Sequence, residues 1–216
     1  MKLLGLVLCF ICCFSCVEKN NNKKEVAETQ TSATTLPYFD SPDFTPKWKK
    51  VAHTIPEFSF TNQDGLTITN ETYKGKIYVA DFFFTTCPGI CPKLAKNMNI
   101  LQDTYKNNDD ILLLSHTVMP WVDSVEKLKA YEKNNNIDSQ KWNLVTGNKD
   151  ELYDIARNGY FADEDFKKTQ DESEFIHTEN FILIDKEGYI RGVYNGTIEL
   201  DLQRLMRHIK LLENEV

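Results

Sequence analysis

The chain has 216 residues, of which 41% are hydrophobic, and a formal net charge of −7 from 25 Lys and Arg against 32 Asp and Glu. This composition is typical of one compact domain with appendages. The acidic balance, spread without long blocks of one sign, excludes the basic surface of a nucleic-acid-binding protein. No glycine-rich phosphate loop is present, so nucleotide binding is not predicted either.

The N-terminus, "MKLLGLVLCFICCFSCVEKN", combines Lys2, an apolar run from Leu3 to Phe14 and Ser15 before Cys16. This pattern predicts a signal peptide over residues 1–15, because the run is shorter than the roughly 20 apolar residues that span a bilayer. Its ending resembles the lipobox of bacterial lipoproteins, which implies lipidation of Cys16 and an exported lipoprotein anchored to the membrane of the cell envelope, facing the periplasm. A plain signal peptide and an uncleaved anchor are the alternatives.

Residues 16–47 contain few large apolar side chains before Leu36 and are rich in Asn, Lys, Glu and Thr. Such a segment buries too little surface to order itself. We predict a flexible tether over 16–47, stiffened at its far end by three prolines, and a folded domain over 48–216.

The domain begins with "FSFTNQDGLTIT", which alternates around Asp64-Gly65 and predicts a β-hairpin. The apolar run "KIYVADFFFTT" (76–86) predicts a central strand that leads directly to Cys87. A helix after Cys91, strands at "DILLLSHTV" and "KWNLVTG", and helices at "DSVEKLKAYEKNN" and "NKDELYDIARNGY" follow.

After an exposed loop over 162–175, "NFILIDKEGYIRGVYNG" predicts two strands about a turn, and "IELDLQRLMRHIKLLENE" a final amphipathic helix. The order of elements predicts an α/β domain of three layers with a mixed central sheet. Active groups in such a sheet gather at the carboxyl ends of the strands.

Of the 6 cysteines, Cys87 and Cys91 in "FFFTTCPGICPKL" are those that follow Cys16. Pro92 favours a helix that begins at Pro92, with Cys91 at or next to its N-cap, where the helix dipole favours a thiolate. A turn through Gly89 brings both sulfurs to one point. A structural disulfide, a redox pair and a metal clamp all fit this arrangement in an oxidising compartment.

His177, in "SEFIHTENFILID", precedes the last strand pair and is expected at the same end of the sheet as Cys87. Two thiolates and one imidazole form a soft set of few ligands that suits Cu(I), whereas zinc usually requires a fourth ligand. The alternative for His177 is a structural histidine.

The motif "FFFTTCPGICP" and the distal histidine of "FIHTENFILID" resemble the Sco (SenC) family over about residues 50–212. The resemblance implies a thioredoxin-like fold and a copper site made by Cys87, Cys91 and His177. It also implies a partner, the copper-site subunit of cytochrome c oxidase or another exported copper or thiol protein. The chain would deliver copper to the dinuclear centre or reduce its cysteines.

The chain departs from the family's S-x-D-P-x-x-D stretch, where it reads "SHTVMPWVDS", with Thr117 in place of the first Asp and Asp123 as the candidate match for the second. His116 in this stretch is expected to point away from the site. The resulting hypothesis is a metallochaperone rather than an enzyme. The alternative is a thiol-disulfide oxidoreductase that acts on exported proteins through Cys87 and Cys91.

Overall fold

The computed structural model describes residues 35–163, 176 and 178–215. Within these residues, seven strands form one mixed sheet in the order β2-β1-β5-β4-β3-β6-β7. The strands are β1 (Ser59–Asn62), β2 (Thr67–Thr69), β3 (Ile77–Phe83), β4 (Ile111–Thr117), β5 (Trp142–Thr146), β6 (Asn180–Ile184) and β7 (Ile190–Asn195). The helices are α1 (Asn70–Tyr73), α2 (Cys91–Tyr105), α3 (Val125–Asn135), α4 (Lys149–Asp154), which continues as a π-helix (Ile155–Gly159), and α5 (Glu199–Glu213).

The central strand is β3, and every one of its residues is buried. It pairs in parallel with β4 and antiparallel with β6. Val79 and Phe83 face a core shared with α2, α3 and α5, whereas Tyr78 and Phe82 face a second core shared with α1 and α4. Because both faces are covered, the strand shows no polar alternation. The predicted three-layer α/β architecture with a mixed sheet is confirmed.

The predicted N-terminal hairpin is also present. Gly65 adopts a positive φ of 74°, a conformation that glycine reaches without steric cost, and the Asn62 side chain accepts hydrogen bonds from the N–H groups of Asp64 and Leu66. Strand β1 then pairs antiparallel with β5, so the hairpin extends the sheet at one side.

The helix starts follow local capping chemistry. The side chains of Ser124 and Asn148 accept backbone N–H bonds at the starts of α3 and α4, and Asn148 was the predicted cap. Helix α2 begins at Cys91, so Pro92 is its second residue instead of its first. The shift is tolerated because an N–H in the first turn has no partner within the helix.

The segment 35–47 packs on the domain, which corrects the predicted boundary at Trp48. Leu36 is buried in the core beneath α2 and α5, and Phe39 forms a bridge to Ile190. The Arg191 guanidinium donates to the carbonyl oxygens of Leu36 and Pro37, at 2.7 and 3.1 Å. These contacts hold the segment on the domain although its composition suggests a disordered chain, so the prediction of a tether as far as residue 47 is wrong.

Several predictions fall outside the described residues: the signal peptide over 1–15, lipidation at Cys16, the tether as far as residue 34 and most of the 162–175 loop. The first two residues of that loop, Ala162 and Asp163, are described and buried. Among the described helices, none combines the length and the apolar character needed to cross a bilayer.

Candidate metal and thiol site

The two cysteines meet where β3 gives way to α2. Cys87 lies in the loop that follows β3, and Cys91 is the first residue of α2, with Ile90 as its N-cap. Both are free thiols. The Cys91 thiol hydrogen bonds to the Cys87 sulfur, so the structure brings the sulfurs together as the Pro and Gly pattern predicts.

The electrostatics of the pair are opposite to the sequence expectation. Burial opposes ionisation of Cys87, but hydrogen bonds from the Cys91 thiol and from the N–H groups of Cys91, Gly89 and Ile90 outweigh it and lower the pKa of Cys87. Burial, followed by the hydrogen bond to Cys87, raises the pKa of Cys91 to about 12. The free N–H groups at the start of the helix therefore stabilise a thiolate on Cys87, and the prediction of an activated Cys91 is wrong.

A buried carboxylate holds the loop that carries Cys87. Asp123 is fully buried, and it accepts hydrogen bonds from the hydroxyl of Thr85 at 2.5 Å, from the N–H of Thr85 at 3.2 Å and from the hydroxyl of Thr117. Thr85 is two residues before Cys87, so Asp123 ties the loop after β3 to the loop after β4. Sequence reasoning named Asp123 as a family match but did not find this role.

A pocket of about 340 Å³ opens beside the sulfurs. Its wall includes Phe82, Phe84, Ile90 and Val118 together with both cysteines. The lining is mostly apolar, so it limits the access of water to the thiols.

His177 lies outside the described residues, and among those described no three His, Cys, Asp or Glu side chains form a metal-binding group. Its neighbours in sequence, Ile176 and Thr178, are both buried and both line the pocket.

His116 lies on the other face of the sheet, which agrees with the expectation that it points away from the site. Its ring is fully buried, stacks on Phe82 with centroids 5.2 Å apart, and has no hydrogen-bond partner for either nitrogen. Burial lowers the pKa of His116 to about 3. It is therefore a neutral core residue rather than a ligand at the cysteine pair.

Asp81 is a second buried carboxyl, on the strand that leads to Cys87. It accepts a hydrogen bond from Ser115, whose oxygen in turn accepts one from the Trp142 indole at 2.8 Å. Burial raises the pKa of Asp81 to about 7. Its charge, when present, contributes to the raised pKa of Cys91.

The donor set fits a soft metal ion. Thiolates prefer Cu(I) through polarisability, and the lowered pKa of Cys87 favours the thiolate that such an ion requires. Zinc would require two more protein ligands or waters. The chemistry of the two sulfurs therefore fits copper, and it equally permits disulfide exchange.

A mixed sheet that carries a reduced C-x3-C pair between a central strand and the following helix defines a thioredoxin-like thiol or metal protein. The SCO1/SenC family model matches residues 47–212, and the chain belongs to this family. The SCO1 protein homolog of Bacillus subtilis is 31% identical over 158 residues, which cover 72% of this chain and 81% of that protein.

Solved structures of Sco proteins are also similar to this chain. A SCO1/SenC family lipoprotein from Bacillus anthracis is 31% identical with a TM-score of 0.66, covering 77% of this chain and 99% of its own. BsSco, described as a member of the Sco family of cytochrome c oxidase assembly proteins with a disulfide switch, is 29% identical with a TM-score of 0.64, covering 76% and 95%. The copper-bound ScoI of Arabidopsis thaliana, at 24% identity, a TM-score of 0.57 and coverage of 74% and 98%, shares the fold.

Proposed function

We propose that the chain is a copper chaperone that binds one copper ion through Cys87, Cys91 and His177 and assists assembly of the dinuclear copper site of cytochrome c oxidase. The observation that carries the proposal is the pair of free, hydrogen-bonded thiols at the mouth of an apolar pocket. Family membership supports it.

The three proposed copper ligands lie in different environments, which determine how each of them binds the ion. Cys87, half-buried and with a lowered pKa, supplies the first thiolate. Cys91 must release its proton on binding, because only a thiolate is a strong ligand. The copper ion supplies the positive charge that makes this second ionisation favourable. We assign the third ligand to His177 because both of its neighbours line the pocket.

The test is a Cu(I) titration of the reduced unit that starts at Thr34, against a competing chelator. One equivalent should bind tightly, and Cys87→Ser, Cys91→Ser and His177→Ala should each weaken binding by at least tenfold. His53→Ala is the matched control, because His53 hydrogen bonds to the carbonyl of Gly159 in the π-helix, which packs on the other face of the sheet. Binding that ignores the two cysteine substitutions contradicts the proposal.

The opposite pKa shifts of Cys87 and Cys91 favour a second function, the reduction of disulfides in a partner protein. In a thiol-disulfide reductase, the Cys87 thiolate attacks a disulfide of the partner and releases one partner thiolate. Cys91 then loses its proton and attacks the Cys87 sulfur, which releases the second partner thiol. The partner gains two electrons and the chain ends with a Cys87–Cys91 disulfide. Trapping a mixed disulfide on Cys87 in Cys91→Ser, and none on Cys91 in Cys87→Ser, tests this order.

We propose that the chain is an exported lipoprotein, anchored to a membrane of the cell envelope and facing the periplasm, through a lipid on Cys16 after removal of residues 1–15. The supporting observations are the sequence pattern at Ser15 and Cys16 and the lipoprotein description of the Bacillus anthracis relative. The mass of the mature N-terminus tests it: a diacylglyceryl group on Cys16 is expected, and Cys16→Ser should release the chain from membranes.

A further inference from the structure

A run of exposed residues follows the N-terminal segment that packs on the domain. It reads "KWKK" over residues 47–50, and all four residues are exposed, Trp48 by 58%. The run carries three positive charges and no carboxylate. Consecutive Cα atoms are about 3.8 Å apart, so these side chains share one surface. We call residues 47–50 the basic patch.

The basic patch lies at the edge of the sheet opposite the cysteines. Its first residue pairs with Tyr38 through two backbone hydrogen bonds of 2.8 and 2.9 Å, and its last residue, Lys50, forms an ion pair with Glu187 at 2.5 Å. Glu187 lies in the turn that joins β6 to β7, and β6 ends beside the start of β3. Cys87 follows the end of β3. The length of the central strand therefore separates the patch from the thiols.

The charges of the patch are only partly neutralised. Lys50 is paired with Glu187, but within the described residues no carboxylate forms an ion pair with Lys47 or Lys49. Asp43, which lies near Lys47, accepts hydrogen bonds from hydroxyl groups of its own turn. Because the chain has a formal net charge of −7, an anionic surface attracts it only through a local excess of lysines such as this one.

Trp48 adds a large apolar group to these charges, and more than half of it is exposed. Tryptophan has an apolar body and one N–H group, and it concentrates at the boundary between water and lipid. Each lysine close to an anionic bilayer strengthens binding several-fold. Three lysines around one exposed indole ring are therefore suited to the surface of an anionic membrane.

The chain enters the domain next to the patch. Tyr38 is three residues after residue 35, where the described part of the chain begins, so the two lie within roughly 11 Å of each other. Residues 17–34 connect residue 35 to Cys16, the proposed site of the lipid, and span at most roughly 65 Å. A connection of this length keeps the domain near a bilayer without fixing which face meets it. A weak attraction at the patch is then enough to select one face.

We propose that the basic patch docks on the anionic lipid surface of the membrane that holds the chain, with the cysteine edge turned away from the bilayer. The lysine ammonium groups contact lipid phosphates, and the Trp48 ring enters the headgroup region. The inference rests on the proposed lipid attachment for its setting and is independent of the copper and thiol chemistry. Copper and partner proteins reach the thiols from the aqueous side.

The experiment attaches the compact unit from Thr34 to vesicles through an N-terminal His tag and a nickel-chelating lipid, so it does not depend on Cys16. The vesicles contain brominated phosphatidylcholine, which quenches tryptophan on contact, with or without an equal part of phosphatidylglycerol. Quenching should be about threefold stronger on the anionic vesicles. Lys47→Glu combined with Lys49→Glu should reduce it to the level of the neutral vesicles. Equal quenching on both kinds of vesicle overturns the proposal.

Trp121 and Lys127 provide matched controls at the cysteine edge. Trp121 is 57% exposed and follows β4, and Lys127 is exposed in the first turn of α3. Trp48→Phe should abolish the additional quenching on anionic vesicles, whereas Trp121→Phe and Lys127→Glu should leave it unchanged. Additional quenching that disappears with Trp121 would place the cysteine edge on the lipid and refute the proposal.

The reactivity of Cys87 tests the orientation separately. Iodoacetamide should modify Cys87 on anionic vesicles at the same rate as in solution, because the cysteine edge faces water. A rate several-fold lower on the vesicles contradicts the orientation. A mature N-terminus without a lipid refutes the attachment at Cys16 but not the patch, whereas loss of the additional quenching refutes the patch even when the lipid is present.

Discussion

Asp123 accepts two hydrogen bonds from Thr85, 38 residues earlier in the chain, and thereby joins the loops that follow the two central parallel strands. Asp123→Ala leaves the hydroxyl and N–H of Thr85 and the hydroxyl of Thr117 without their acceptor. We expect the free energy of unfolding to fall by about 2 to 4 kcal/mol, since three bonds to a buried charge are lost. Denaturant unfolding measures this change.

The same variant should also weaken Cu(I) binding, because the loop with Cys87 loses its support. Asp110→Ala is the control, since Asp110 is exposed and pairs with Lys76 at the opposite edge of the sheet. Equal copper affinity in Asp123→Ala and the parent would show that Asp123 serves stability alone.

The asymmetry of the thiols predicts selective alkylation. In the reduced unit from Thr34, iodoacetamide near pH 7.5 should modify Cys87 at least tenfold faster than Cys91, because Cys87 is more exposed and has the lower pKa. Mass spectrometry of the digested protein measures the order. Faster labelling of Cys91 would restore the expectation drawn from the sequence.

The buried His116 makes a contribution to folding stability that depends on pH. Its pKa is about 3 in the folded chain and 6.5 in a model compound, so the unfolded state binds the proton first. Its contribution to stability is therefore present above pH 6.5 and is lost as the pH falls toward 3, by roughly 1.4 kcal/mol per pH unit. His116→Phe should remove this contribution and raise stability at pH 7, because the ring lies among aromatic side chains with both nitrogens unpaired.

The contribution of the buried Asp81 to folding stability changes with pH in the opposite direction. Its pKa rises from 3.8 to about 7 on folding, so its contribution to stability is full below pH 4 and is lost as the pH rises through 7. Between pH 4 and 6.5 the two groups oppose each other, and the parent should show a nearly flat profile of unfolding free energy. Asp81→Asn should then lose stability on acidification, and His116→Phe should lose it as the pH rises. Parallel profiles in both variants contradict this account.

Local signals predicted the elements well. The Asp64-Gly65 turn, the Asn148 cap and the unbroken apolar run of β3 each depend on residues close in sequence. They were confirmed because turn, cap and burial preferences act over a few residues.

The missed features depend on distant contacts. The bonds from Arg191 to Leu36 and Pro37 span about 155 residues, and a segment judged by composition alone therefore looked unstructured. His116 required rings from β1, β3 and the π-helix end to form its surroundings. Neither relation follows from residues that are close in sequence. The lowered pKa of Cys87 is a different case, because its N–H donors lie only two to four residues away, at Gly89, Ile90 and Cys91, and the residue pattern does not show which sulfur they face.

Arg191 also pairs with Glu215 at 2.8 Å, and Glu215 accepts the N–H of Leu36 at 3.2 Å, so the first and last parts of the described unit are fastened to one guanidinium. Strand β3, at about 3.3 Å per residue over 7 residues, places this fastening roughly 20 Å or more from the thiols. The two ends of the described unit therefore lie together at the edge of the domain opposite the cysteines. Neither end occupies the approach to the sulfurs, so a label or a support attached directly at residue 35 or residue 215 should leave both thiols accessible.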